Sequence, residues 1–320
     1  MLRRLNAVIS ENRNRHKSNY QKGMIIPMKL SVSSYSFQQA IKAGKMTQFD
    51  TIAAAHEMGL GAIEFIDLTP VYGEKPTLEE QKEYAVKLRA EADRLGMDIN
   101  AYTIGANLFC EGVAAKEEIN RLRGQLDVAA LLGVKVMRHD VCYRLGQSGN
   151  ARSFDRMLPT LVENIRAVTI YGEKLGIRTC TENHGYIAQD SDRVERLVNA
   201  VAHDNYGLLV DMGNFACVDE DSAIAVSRVA PYAFHVHAKD FIKHPFASKV
   251  AKGFQSRGCN YLEGCAVGEG DIPVEQCIAI LRRAGYDGYV SIEFEGMEEP
   301  LMSIEIGLEN LQRMLAELQG

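Results

Sequence analysis

Residues 177–211 read IRTCTENHGYIAQDSDRVERLVNAVAHDNYGLLVD. The run IRTCTE at 177–182 has the length and β-branched content of a strand, and a polar turn containing glycine follows it. From Ser191 the pattern changes. SDRVERLVNAV spaces its apolar residues three and four apart, as one face of a helix does, and opens on the Ser and Asp expected at a helix start. GLLVD at 207–211 returns to strand character. Strand, helix and strand in this order make the crossover that joins parallel strands, so the stretch predicts one repeat of an α/β fold.

The same rhythm runs from residue 28 to the end. Strand candidates occupy 28–37, 61–68, 97–104, 134–141, 177–182, 207–211, 232–240 and 289–295. Helical patterns fall between them, including TQFDTIAAAHEMG, TLEEQKEYAVKLRAEADRLG and KEEINRLRGQLDVAALLG, with a weaker one at DEDSAIAVSRV. Several open on Ser, Thr or Asp and close on Gly, which is cap chemistry. Eight alternations are the number that closes a parallel sheet on itself. The expected fold class is therefore α/β, a (β/α)8 TIM barrel over residues 28–320, with a doubly wound open sheet as the second choice. The basic, polar segment 1–27 is expected to be an arm outside the barrel, mobile or touching another subunit of a homo-oligomer.

Composition narrows the partners. Of 320 residues, 46% are hydrophobic and 24% charged, the balance of a globular protein. A net charge of −6 argues against a nucleic-acid surface or a polybasic membrane anchor, and no run of apolar residues is long enough for a membrane span. Seven scattered cysteines without a CxxC pair suit a reducing cytoplasm rather than a disulfide framework. A small molecule is the expected partner.

Where a barrel carries chemistry, it does so at the carboxyl ends of the strands. AFHVHAKDF at 233–241 alternates so that His235 and His237 share one face while Phe234 and Val236 share the other. Four successive strands end in ligand-type residues: Glu182, Asp211, His237 and Glu293. In a closed barrel these ends converge, and two Glu, one Asp and one His form an N/O set suited to Mn²⁺, Mg²⁺, Co²⁺ or Zn²⁺, among which the donor set does not choose. Glu295 shares a face with Glu293 and competes with it. His235, one layer further in, reads as a satisfied core histidine.

The combination of ENHG, VDMGN, HVHAKD, VGEGDIP and SIEFEG resembles the sugar phosphate isomerase/epimerase family of xylose isomerase-like barrels, over roughly residues 28–318. The resemblance implies that Glu182, Asp211, His237 and Glu293 bind the divalent ion, and that Glu182 and Glu293 move protons on opposite faces of a substrate carbon. It also implies a sugar or keto-sugar substrate. The epimerase branch usually carries a histidine three residues after its aspartate ligand, where this chain has Asn214, a candidate for substrate contact.

The expected activity is thus a metal-dependent sugar isomerase or epimerase working through an enediolate. The alternative is a lyase or dehydratase on a keto-inositol or 3-keto-glycoside, with a second subunit if it is a deglycosidase. His184, two residues beyond Glu182, is a candidate proton donor or ligand for a substrate hydroxyl. In VMRHD, alternation turns either Arg138 or His139 inward, an anion anchor or a catalytic base respectively, and His139 is favoured. Glu64, Lys239 and Asp240 are further candidates for substrate contact. The segment from His244 to Asp271 reads as a long catalytic-side loop, with Phe246, Phe254 and Tyr261 able to cover an apolar part of a substrate.

Overall fold

The computed structural model describes residues 28–142, 153–249 and 252–318, so the expected arm at 1–27 lies outside the described residues. Eight strands close into a barrel. They are β1 (Lys29–Ser33), β2 (Ala62–Ile66), β3 (Asp98–Ile104), β4 (Val136–His139), β5 (Arg178–Glu182), β6 (Tyr206–Asp211), β7 (Ala233–Ala238) and β11 (Tyr289–Ile292). Every neighbouring pair is parallel, and β1 pairs with both β2 and β11, which closes the ring. The helices are α1 (Gln38–Lys42), α2 (Asp50–Glu57), α3 (Leu78–Leu95), α4 (Gly112–Leu132), α5 (Phe154–Lys174), α6 (Ser191–Val201), α7 (Ser222–Val229), α8 (Val274–Arg283) and α9 (Pro300–Glu317).

The repeat at 177–211 shows why the chain folds this way. The Asp190 side chain accepts the Arg193 amide and starts α6, which then buries Val194, Leu197, Val198 and Val201 along one stripe. α3 begins with a reciprocal cap between Thr77 and Glu80 and stops at Gly96, whose φ of 69° suits a residue without a Cβ. The main core lies between strands and helices. A smaller cluster of Val136, Cys180 and Leu209, with Phe234 packed on it, lies on the strand face that carries Arg138, Glu182 and Asp211 one step higher. Among the described residues, no helix is long and apolar enough to cross a membrane.

Two boundaries and one face assignment differ from the sequence expectation. The run at 28–37 leaves the barrel after Ser33, because the Ser33 side chain accepts the Tyr35 amide and turns the chain into a short 3-10 segment, Ser34–Phe37. The run at 232–240 is two strands: β7 ends at Ala238, and β8 (Asp240–His244) joins a separate antiparallel sheet with β9 (Phe254–Gln255) and β10 (Tyr261–Cys265). The described part of 244–271 therefore holds a β9–β10 hairpin whose second strand also pairs with β8, in the order β8-β10-β9. Finally, a register shift between Leu208 and Leu209 turns Phe234 onto the interior cluster while Val236 joins the outer core, so the two do not share a face.

Candidate metal centre

Glu182, Asp211 and His237 stand at the ends of β5, β6 and β7, and Glu293 is the first residue beyond β11. Each offers one ligand atom, and the four atoms lie within 4.8 Å of one another. All four residues are buried.

Each is aimed by a neighbour. The Nε2 of His237 lies 2.9 and 3.0 Å from the two oxygens of Glu64, which turns Nδ1 toward the three carboxylates, 3.3 Å from Glu293 Oε2 and 3.8 Å from Asp211 Oδ2. The other Asp211 oxygen, Oδ1, accepts the amides of Gly213 and Asn214 at 2.8 and 2.9 Å, leaving Oδ2 directed at the cluster. Glu182 is held by Asn214 Nδ2 at 2.8 Å and by Arg138 at 2.6 Å. Lys239 Nζ approaches Glu293 Oε2 to 2.6 Å, Glu295 Oε2 to 3.1 Å and Asp211 Oδ2 to 3.3 Å.

This donor set fits a divalent ion. The buried atoms Asp211 Oδ2, His237 Nδ1 and Glu293 Oε2 make no aligned hydrogen bond among the described residues, and they converge with an oxygen of Glu182. Three carboxylates and one imidazole whose second nitrogen is fixed by a carboxylate is metal-site chemistry. The charges of the protein alone are strained. Burial pushes the Glu182 carboxyl up, against the pull of Arg138, and Glu293 adds to the rise. Burial also opposes the charge of His237, but Glu64 and Glu293 hold its imidazole well above the usual range.

Beside the cluster is a cavity of about 450 Å³ whose wall includes Tyr35, Ile66, Arg138, His184, Tyr186 and Phe254. His184 Nδ1 lies 3.0 Å from Asp140 Oδ1, which also takes Arg138 at 2.8 Å. Burial would lower the His184 pKa, but Asp140 more than offsets it and raises it.

The strand register decides the remaining candidates. Arg138, not His139, faces the cavity. His139 is fully buried on the outer side of β4, stacked at 6.2 Å on Tyr206 with Nδ1 on the Asp140 carbonyl, so the base expected there is misplaced. Burial drives its pKa down to about 4. Arg138 is engaged by Glu182 and Asp140 rather than standing as an anion anchor. Glu64 is fully buried beneath the mouth, bonded to His235 and His237, and reaches no substrate. His235 is the satisfied core residue expected. Asp240 also turns away: its carboxylate accepts the amides of Phe241, Gly268, Gly270 and Ile272 and organises the loop before α8. A Cβ on Gly270 would meet Asp240 Oδ1 at 2.3 Å, so the glycine makes room for that carboxylate. Lys239, Asn214 and His184 do line the cavity. Of the aromatic residues between β8 and β10, Phe254 lines it and Phe246 is exposed.

Sequence reasoning missed Asp140, although its spacing of two from Arg138 puts both on one strand face. It also missed Tyr35 and Tyr186, for which strand-end position is the sole signal.

The chain belongs to the xylose isomerase-like TIM barrel family, whose profile matches residues 52–315. An inosose dehydratase of Clostridium perfringens is 24% identical over 143 residues, 42% of this chain and 46% of the relative, so the match spans about half of that protein. Among solved structures, the probable 3-DHS dehydratase AsbF of Bacillus anthracis superposes with a TM-score of 0.67 at 18% identity, covering 89% of this chain and 99% of that one. An L-ribulose 3-epimerase gives 0.67 at 14%, covering 91% and 96%. The IOLI protein with a bound zinc atom gives 0.67 at 16%, covering 91% and 99%. At these identities the likeness is one of fold.

Proposed function

We propose that the chain is a divalent-metal-dependent enzyme that takes a proton from the carbon beside a carbonyl of a small sugar or keto-polyol, and that elimination follows. The observation carrying this reading is the convergence of three buried carboxylates and one carboxylate-oriented imidazole beside a cavity of about 450 Å³. When bound, a divalent ion, Mn²⁺ first and Mg²⁺, Co²⁺ or Zn²⁺ as alternatives, supplies a positive centre that polarises the carbonyl.

The side chains do the rest. Glu64 keeps the His237 ring in one orientation. His184 Nδ1 faces Asp140 Oδ1 at 3.0 Å and Arg138 Nη2 at 3.3 Å, and the tautomer in which Nδ1 donates to Asp140 leaves Nε2 as the basic nitrogen, which points to His184 as the base. A two-base epimerase needs both Glu182 and Glu293 available to accept a proton. Here Glu182 is held by Arg138 and Asn214, and Glu293 by Lys239, so both are acceptors already engaged by cations or amides. With neither glutamate free to act as the second base, a lyase or dehydratase is favoured over an isomerase or epimerase, and the dehydratase names among the relatives lie on the same side. In the elimination the C–H bond beside the carbonyl breaks, a C=C bond forms, the C–O bond one carbon further breaks, and the departing oxygen takes up a proton.

The test is incubation with Mn²⁺ and a keto-inositol in D₂O, followed by NMR and mass spectrometry. Loss of water, dependent on metal, is expected, and His184→Ala should lower turnover by about 10²–10⁴ with metal affinity retained. Metal-dependent C–H exchange with mass conserved would restore the isomerase or epimerase reading. Absence of exchange on any keto-sugar or keto-polyol would overturn both.

A further inference from the structure

His184 opens a turn with an unfavourable backbone. Gly185 and Tyr186 follow it with φ values of 79° and 66°, two left-handed residues in succession, and the second carries a Cβ. Both line the cavity. The turn closes where the His184 amide donates to the Ala188 carbonyl at 3.3 Å, and Arg193 Nη1, from α6, donates to the Ile187 carbonyl at 3.0 Å. Tyr186 is held from elsewhere, by residues 69 and 71 positions further along the chain.

The Arg257 guanidinium donates from Nη2 to the Tyr186 carbonyl and from Nη1 to Asp190 Oδ2 at 3.0 Å, so one rigid fork spans the turn from Tyr186 to the cap of α6. The Tyr186 hydroxyl donates to the Gln255 carbonyl at 2.9 Å. The fork is itself fixed. The Arg257 amide donates to the Cys217 carbonyl at 2.7 Å, and Asp219, in the loop after β6, accepts Ser256 Oγ at 2.7 Å and Asn260 Nδ2 at 2.9 Å. A Cβ on Gly258 would meet Asp219 Oδ2 at 2.6 Å, so the hairpin tip seats directly on that carboxylate. These contacts lay the tip of the β9–β10 hairpin on the loops after β5 and β6, while Phe254 of the same hairpin forms part of the cavity wall.

We propose that Arg257 is a positioning residue for His184: by gripping the turn at Tyr186 and Asp190, the β9–β10 hairpin keeps the imidazole aimed into the cavity. The inference rests on His184 being the base. The Arg257 side chain is 38% exposed, so its ion pair with Asp190 adds little to the stability of the barrel. Its work is on the geometry of the turn. A lysine at 257 offers a single point charge and cannot span both acceptors. Pairing of β10 with β8 secures the root of the hairpin without Arg257, so Phe254 keeps its place when the tip is released.

A double-mutant cycle on turnover of a keto-inositol with Mn²⁺ separates positioning from a general loss of structure. Arg257→Ala is expected to lower kcat by about tenfold or more, the scale of a misplaced base, with KM within about threefold and Mn²⁺ affinity within about twofold. Arg257→Lys should fall nearly as far. In the His184→Ala background the loss from Arg257→Ala should shrink to less than about twofold, because the group it positions is gone. Hydrogen exchange, which needs no substrate, should show residues 184–190 exchanging at least about tenfold faster in Arg257→Ala, with β5 and β6 unchanged. Equal losses of kcat in both backgrounds, or exchange at 184–190 equal to wild type, would overturn the positioning role and leave the base assignment standing. No turnover of the keto-inositol by the wild type, or turnover within about threefold of wild type in His184→Ala, would overturn the base assignment and the positioning role with it.

Discussion

His139→Gln separates a buried structural histidine from a catalytic one. In the folded chain this imidazole is fully buried and neutral, with Nδ1 donating to the Asp140 carbonyl at 2.9 Å and Nε2 without a hydrogen bond among the described residues. Burial holds its pKa at about 4, against an ordinary value of 6.5. As pH falls below 6.5 the unfolded chain binds the proton first, so stability is lost progressively until the folded imidazole also titrates. The difference of protonation free energies amounts to about 2 kcal/mol at pH 5 and about 3 kcal/mol at pH 4. Gln lacks this term, at a cost near neutral pH of about 1–2 kcal/mol for the lost ring packing and hydrogen bond. Denaturant midpoints measured from pH 7 to pH 4.5 should therefore show the wild-type advantage shrinking by about 2 kcal/mol by pH 5. Turnover at pH 7 should change by less than about threefold, far short of the loss expected for a removed base. Parallel pH slopes, or a hundredfold loss of turnover with metal still bound, would refute the argument and return His139 to the mouth.

Glu64→Gln removes the carboxylate behind the metal-facing histidine, and Mn²⁺ affinity measured by calorimetry should fall by about 10–100-fold. Asp240→Ala strips the acceptor from the amides of Gly268, Gly270 and Ile272, and chemical denaturation should show a loss of about 1–3 kcal/mol with Mn²⁺ affinity within twofold of wild type.

The local parts of this site were readable in the sequence, and the parts that join distant segments were not. Strand ends at Glu182, Asp211 and His237 follow from where apolar runs stop, so alternation of strand and helix was enough to bring those side chains to one mouth. β4 is only four residues long, too short for its alternation to choose between Arg138 and His139. Stacking of His139 on Tyr206, on β6, makes that choice. Glu64 and His237 are 173 residues apart, and nothing local to either announces that one orients the other. The three-stranded sheet after β7 escaped notice because β9 has two residues and β10 is glycine-containing, which gives no sustained period-2 pattern.

The central claim is that Glu182, Asp211, His237 and Glu293 hold one divalent ion, and titration of Mn²⁺ into the wild-type protein and into Asp211→Asn and His237→Ala tests it most directly. The expected result is one ion per wild-type chain and a loss of at least about 100-fold in affinity in each variant, with circular dichroism unchanged because these side chains sit at the mouth and outside the apolar core. Wild-type affinity and stoichiometry in both folded variants would contradict it.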